Sequence, residues 1–421
     1  MRIAIITENF LPKVDGVTRT LARLLEHLQV TSHQVLLLGP ETQLKTYAGA
    51  QLIGTFGLPF FLYPELKLNF WRPRFTESLI EFQPDVIHLV DPVFLGAVGL
   101  AVIRYYLPKT AIVSSYHTNL AVYCDHFGYG FLTSVMWRWN QFCHSFSGTI
   151  ACPSASTLSI LVEHGFKNIS VWPRGVDISQ FSPAQRSDNL RSRWMEEDLS
   201  DSKSIILYVG RVSYEKNIKL VIEAYGQMDH AQCHLVIVGH GPAFDEIQSL
   251  CLEASIPVTF TGYLQGQDLA QAYASADIFA FPSTTETFGQ VVLEAMASGL
   301  PVVGLEAEGV KDLVCHQRTG LLMNAKLSLE EQVITYRKLL VRLVTQKDAC
   351  YEMSQEAVKK AKTYTWYKAM HCMVKIYQRA AGIVSITNEI KEDGEDSGVE
   401  EDYVPENETI YLSQKNKIDW I

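Results

Sequence analysis

The sequence predicts an α/β protein built as two Rossmann-like domains. Three observations carry that expectation. Short apolar runs alternate with segments of helical apolar spacing along most of the chain, the pattern of parallel sheets covered by helices. The alternation breaks once, in a stretch punctuated by Pro173, Gly175 and Pro183 and continued by a polar segment to 203. It then starts afresh at Ile205-Ile206-Leu207-Tyr208-Val209. The expected division is residues 1–172 for the first domain, 173–203 for a linker, 204–365 for the second domain, 366–383 for a last helix and 384–421 for a tail.

In the first domain, strands are expected at 2–8, 34–39, 85–91, 111–116 and 148–152, with a helix from about Thr18 to Leu28. In the second they are expected at 205–210, 234–239, 258–262, 277–281 and 301–305. Residues 329–382 read as helical. The last helix, from about Trp366 to Arg379, carries Trp366, Met370, Met373, Ile376 and Tyr377 on one face. Between 388 and 409 ten acids stand against the single Lys391, so this part of the tail is expected to be disordered.

Of the 421 residues 47% are hydrophobic and 19% charged, an ordinary balance for a protein with a large core. The net charge of −10 comes mostly from the tail, and the remainder is near −1. That excludes a nucleic-acid binder on charge grounds. The eight cysteines are scattered without a Cys-x-x-Cys, which predicts free thiols in a reducing compartment and no metal site. The chain opens on an apolar strand, with no leader expected, and no apolar run approaches the ~20 residues of a membrane-spanning helix. A cytoplasmic location follows, with peripheral contact to a membrane expected through Phe127–Leu132 and Val135–Trp139 beside Lys67, Arg72 and Arg74. Core packing is the equal alternative for those aromatics.

The chemistry concentrates in PSTTETFGQVVLEAMASGLPVV, from Pro282 to Val303. The apolar strand 277–281 ends at Pro282, Ser283, Thr284 or Thr285 is expected to cap a helix, and apolar spacing runs from Phe288 to Met296. Glu286 stands at the mouth of that helix and Glu294 about two turns inside it. Backbone N–H groups of Phe288, Gly289 and Gln290 favour an anion there, and Gly289 permits close approach. A carboxylate beside an anion site suits a ligand that carries hydroxyls and phosphate together, such as a sugar nucleotide. The bland alternative is a dipole-complementing acid and a solvated one.

Arg211 and Lys216 follow the first strand of the second domain, placed to hold a diphosphate, against the alternative of a solvated loop with a Glu215–Lys216 pair. Gly239 and Gly241 form two-thirds of a dinucleotide fingerprint whose last glycine is replaced by Phe244. Gly16, in Asp15-Gly16-Val17, offers backbone N–H groups to a phosphate from the opposite domain, or is a plain turn. His117 ends a first-domain strand, as a contact to the reacting centre or as a structural histidine.

On these residues the chain resembles family 4 of the retaining nucleotide-sugar glycosyltransferases, which have the GT-B fold, two Rossmann-like domains facing one another across a cleft. The resemblance covers residues 1 to about 382. Its most specific part is Glu-x7-Glu, Glu286 through Glu294, supported by Gly210-Arg211, Glu215-Lys216-Asn217 and Gly175-Val176-Asp177. Within the family the first half looks most like sulfoquinovosyldiacylglycerol synthases and GDP-mannose-dependent mannosyltransferases, through Asp15–Thr20, Leu62–Leu66, His88–Pro92 and Ser115–Asn119. The resemblance implies that Glu286 holds donor sugar hydroxyls, Glu294 the ribose, Arg211 and Lys216 the departing diphosphate without a metal, and that Gly16 and His117 face them. It also implies a lipid or glycan acceptor and a last helix that crosses back to the first domain. Two departures stand out. Asp15-Gly16 replaces a glycine pair, and Glu308-Gly309-Val310-Lys311-Asp312 replaces a Gly-Gly-x-x-Asp loop. The rival readings are a nucleotide-sugar-binding protein without turnover and an NAD-dependent oxidoreductase.

Overall fold

The computed structural model describes residues 1–12, 15–60, 63–126, 128–195 and 203–383. Its first domain runs through β1 (Arg2–Thr7), β2 (Gln34–Pro40), β3 (Thr46–Tyr47), β4 (Ala50–Thr55), the hairpin β5 (Gly57–Phe60) and β6 (Tyr63–Asn69), β7 (Val86–Val90), β8 (Ala111–Ser115), β9 (Thr149–Cys152) and β10 (Ile169–Val171). The sheet order is β10-β9-β8-β7-β1-β2-β4-β3, parallel except for the two-residue β3 at its edge, with the hairpin apart. Ile3, Ala4, Ile5 and Ile6 are fully buried, as a central strand covered on both faces requires.

The second domain holds β11 (Ser204–Val209), β12 (Cys233–Val238), β13 (Val258–Gly262), β14 (Ile278–Phe281), β15 (Val302–Leu305) and β16 (Gly320–Met323), in the all-parallel order β13-β12-β11-β14-β15-β16. In each sheet the order reverses beside the first strand, β1 or β11. Crevices at such reversals, beyond the carboxyl ends of the strands, are where α/β sheets bind ligands.

The chain departs from the sequence-based expectation at several points. Strands β3, β5, β6 and β10 were not anticipated, nor were β4 and β16. Gln51 and Gly54 interrupt the apolar run of β4. Residues 329–382 form three helices, Leu329–Thr345, Lys347–Ala361 and Trp366–Ala380. The stretch expected as linker is partly built into the second domain. Its helix Asp188–Trp194 sends Trp194 into that core, and Arg191 donates to Asp277 Oδ2 at 3.0 Å. None of the eight cysteines forms a disulfide. The acidic tail and Phe127 lie outside the described residues, as does the side chain of Lys67.

The helix Trp366–Ala380 returns to the first domain. Met370, Met373, Ile376 and Tyr377 pack with Ile3, Ile5, Leu21, Leu25 and Trp172. The Trp172 indole donates to the Ala369 carbonyl at 3.1 Å. Each such apolar side chain contributes about 1.5–3 kcal/mol of burial.

Candidate active site

The loop after β14 does not cap the following helix with a hydroxyl. The helix spans Gln290–Ala297, and its N-cap is Gly289 at φ 92°, a left-handed conformation that glycine adopts without strain. The hydroxyls have other work. Ser283 donates to Glu286 Oε1 at 3.3 Å, and the Thr285 hydroxyl lies 3.4 Å from the Glu215 carbonyl oxygen. Lys216 Nζ reaches Glu286 Oε1 at 2.5 Å and Thr285 Oγ1 at 3.2 Å. Lys216 thus pairs with Glu286 across two strand ends, with both side chains under one-fifth exposed. The Phe288 ring is buried near Tyr364, so only its backbone remains for a ligand.

Glu294 is one turn into the helix rather than two, and it is buried. Tyr273 donates to its Oε2 at 3.2 Å and Gln290 to its Oε1 at 3.5 Å. Arg19, on the helix Gly16–Val30 of the first domain, approaches Oε1 at 3.7 Å. Burial pushes the Glu294 carboxyl above its ordinary range, and Arg19 is the largest opposing influence.

Gly239 and Gly241 have a structural reason to be glycine. A Cβ on Gly239 would collide with the Gly210 carbonyl, and one on Gly241 with the Val212 carbonyl. They let the loop after β12 pack on the loop after β11, the loop that carries Arg211. The Tyr208 hydroxyl braces that same loop by donating to the Arg211 carbonyl at 2.9 Å. The fingerprint behind the oxidoreductase reading is therefore a packing feature.

His117 turns its ring inward. Arg174 Nη2 lies 2.7 Å from His117 Nδ1, and a guanidinium only donates, so Nδ1 accepts and the proton of the neutral ring is on Nε2. That nitrogen meets Ser115 Oγ at 2.7 Å. Ser115 Oγ also meets His88 Nε2 at 2.8 Å, and His88 Nδ1 meets the Tyr377 hydroxyl of the crossing helix at 2.7 Å. Burial, then the Arg174 charge, pushes His117 well below its ordinary value, and the same causes push His88 down to about 3. What His117 presents to the second domain is its carbonyl, which accepts from Thr287 Oγ1 at 2.8 Å. Its backbone N–H donates to Asp91 at 2.7 Å.

Further contacts cross the cleft. The side chain of Ser154 caps the helix Ala155–Glu163 of the first domain, and Asp312 of the second accepts from the Ser156 N–H at 3.1 Å and from its hydroxyl. Thr157 Oγ1 is 2.6 Å from Glu308 Oε1 and 3.1 Å from the Thr287 carbonyl. Gln290 donates to the Gly175 carbonyl at 3.1 Å. The structure therefore brings Lys216, Glu286, Gln290 and Glu294 together at one wall. It sets Arg19 and the carbonyl of His117 against them. Sequence reasoning gave no role to Arg19, Ser156, Thr157, Arg174 or Tyr273. The departure at Glu308–Asp312 marked that loop, but as bearing on donor-sugar contacts rather than on contacts to the first domain.

Comparison with known proteins identifies the family of the chain. The family model described as Glycosyltransferase Family 4 matches residues 14–180, and that described as Glycosyl transferases group 1 matches residues 191–360. A GDP-mannose-dependent alpha-mannosyltransferase of Mycolicibacterium smegmatis is 36% identical over 77% of this chain and 84% of its own length. The sulfoquinovosyl transferase SQD2 of Arabidopsis thaliana is 33% identical over 75% of this chain and 60% of its own. In fold, the chain resembles a sucrose-phosphate synthase of Thermosynechococcus elongatus, with a TM-score of 0.75 at 19% identity over 91% of this chain and 100% of that one. The chain belongs to the family 4 glycosyltransferases, GT-B enzymes that transfer a sugar from a nucleotide sugar.

Proposed function

We propose that this enzyme transfers a hexosyl group with retention from a UDP- or GDP-sugar to a hydroxyl of a lipid or glycan at a membrane surface, without a metal. The observation that carries the reading is the Lys216–Glu286 pair at 2.5 Å, a cation and a carboxylate side by side where two strand ends meet. Glu286 would accept hydroxyls of the donor sugar. Lys216, with Arg211, would stabilise the negative charge that develops on the leaving diphosphate, electrostatic work of the kind a metal does elsewhere. The bond from the anomeric carbon to the diphosphate oxygen breaks, and the acceptor oxygen bonds to the same face. A diphosphate oxygen takes the acceptor's proton, which balances charge without a protein base. The relative named for GDP-mannose makes that donor the first to test.

Membrane contact is supported by a stripe on the first domain. Val135, Trp139 and Phe142 stand exposed at helical spacing, with Phe131 before them and Val98 and Tyr105 on the helix Leu95–Tyr106. Among the described residues no helix is long and apolar enough to cross a membrane. The test is transfer of labelled mannose from GDP-mannose, with UDP-glucose in parallel, into vesicles containing diacylglycerol or a glycosylated lipid, in EDTA. An α-linked labelled product is expected. Tight donor binding without product would favour a binding protein, and activity restored only by Mg²⁺ or Mn²⁺ would refute the metal-free mechanism.

A further inference from the structure

We infer that Arg19 is a donor-binding residue supplied by the first domain, pairing with Glu294 across the cleft and taking the donor's diphosphate once ribose hydroxyls engage that carboxylate. This rests on the nucleotide-sugar reading above. Two independent features of the helix Gly16–Val30 point to it.

The first is the loose fit of the Arg19–Glu294 pair. At 3.7 Å the contact is longer than a charge-assisted hydrogen bond, and the Arg19 side chain is 40% exposed while that of Glu294 is 4% exposed. The arginine thus meets a carboxylate already served by Tyr273 and Gln290 and keeps donors to spare. A ribose diol brings two hydroxyl donors to the same carboxylate and can take the place of the guanidinium. The displaced cation then needs an anion nearby.

The second is Asp15. Its side chain caps the helix by accepting from the Thr18 N–H at 2.8 Å. A carboxylate there stabilises the helix, but it repels a diphosphate approaching the same end. A Cβ on Gly16 would meet no atom within 4 Å, so the backbone is open to approach. Arg19 stands one turn along from Asp15, so the same end of the helix that carries the acid also carries a cation. The cation and the acid together make the first-domain wall hospitable to a phosphate and leave a bare ribose to Glu294 alone.

The ligand that replaces the pair must therefore carry both ribose and phosphate. A nucleoside supplies only the first. The test compares binding of UDP with uridine and of GDP with guanosine, in wild type, Arg19→Ala and Arg19→Lys, by calorimetry with competition for the weak nucleosides. For the diphosphate that wild type binds, Arg19→Ala is expected to lose about tenfold in affinity. Arg19→Lys should retain most of it, and nucleoside affinity should hold or rise. Equal losses for diphosphate and nucleoside would assign Arg19 to Glu294 alone and overturn the inference, as would no loss for either. Failure of wild type to bind any nucleoside diphosphate would instead refute the nucleotide-sugar reading and the inference with it. Melting curves establish that the variants are folded.

Discussion

Replacing Glu286 with glutamine should tighten binding of the bare nucleoside diphosphate while it slows transfer. The carboxylate is 2.5 Å from Lys216 Nζ and accepts from Ser283 at 3.3 Å. A phosphate oxygen held by the same ammonium at a usual hydrogen-bond distance is no more than about 5 Å from that carboxylate. Like charges at that separation repel by about 3 kcal/mol per unit charge at an effective dielectric of 20 and by about 0.8 kcal/mol in water. Both side chains are under one-fifth exposed, so the site lies between these limits, and a gain of about 1–2 kcal/mol, roughly five- to thirtyfold in affinity, is expected. Glutamine keeps an oxygen for Lys216 and Ser283, so the loop should keep its shape. The turnover number should fall, because the donor sugar loses a charged acceptor that fixes its geometry. Calorimetry with UDP, GDP and ADP reads the first effect and steady-state transfer the second. Unchanged or weaker diphosphate binding by a folded Glu286→Gln would show that Lys216 is not a phosphate cation.

Glu294→Gln should act differently, raising the KM for donor with little change in kcat, because ribose contacts precede and outlast the chemical step; a matching loss in kcat would place Glu294 at the reacting centre. Thr157→Val removes the hydroxyl that reaches Glu308 and the Thr287 carbonyl, so solution scattering should report a larger radius of gyration than wild type; an identical curve would mean the other cross-cleft contacts suffice. Asp91 carries a pH dependence. Burial pushes its carboxyl up to about 7, against the N–H of His117 and the Thr118 hydroxyl, whereas the unfolded group titrates near 4. The folded state therefore binds the proton more tightly, so this group's stabilisation is full below about pH 4 and is lost as pH rises through 7. Melting temperatures between pH 5 and 8 should fall less steeply in Asp91→Asn than in wild type, and equal slopes would refute the assignment.

Glu294 reads in the sequence as a ligand carboxylate or a solvated acid, and the structure shows it instead buried among Tyr273, Gln290 and Arg19. Lys216 and Glu286 were legible because both follow apolar strands, and parallel sheets gather their carboxyl ends along one edge. Arg19, Thr157, Glu308 and Asp312 were not, since their partners belong to the other domain and no local pattern encodes how two domains meet. The cap of the motif helix was misread for a related reason. Ser283 and Thr285 have the right chemistry for it, but Glu286, Glu215 and Lys216 claim their hydroxyls, leaving the turn to Gly289. His117 was placed at the correct strand end, yet which way its ring faces depends on Arg174, nearly sixty residues on.

The returning helix Trp366–Ala380 bears on how the chain is made. Met370, Met373, Ile376 and Tyr377 complete a core otherwise supplied by the first half of the sequence. A ribosome releases residues 1–172 well before it supplies that helix. At about 5–20 residues per second, roughly ten to forty seconds pass while the whole second domain is synthesised. Through that interval the first sheet exposes the apolar surface beside Ile3, Leu21 and Trp172, a surface that chaperones bind and that neighbouring nascent chains can reach. The second domain, whose core draws on one continuous stretch of chain, carries no such delay. Production of this protein should therefore be limited by the half that is translated first and finished last.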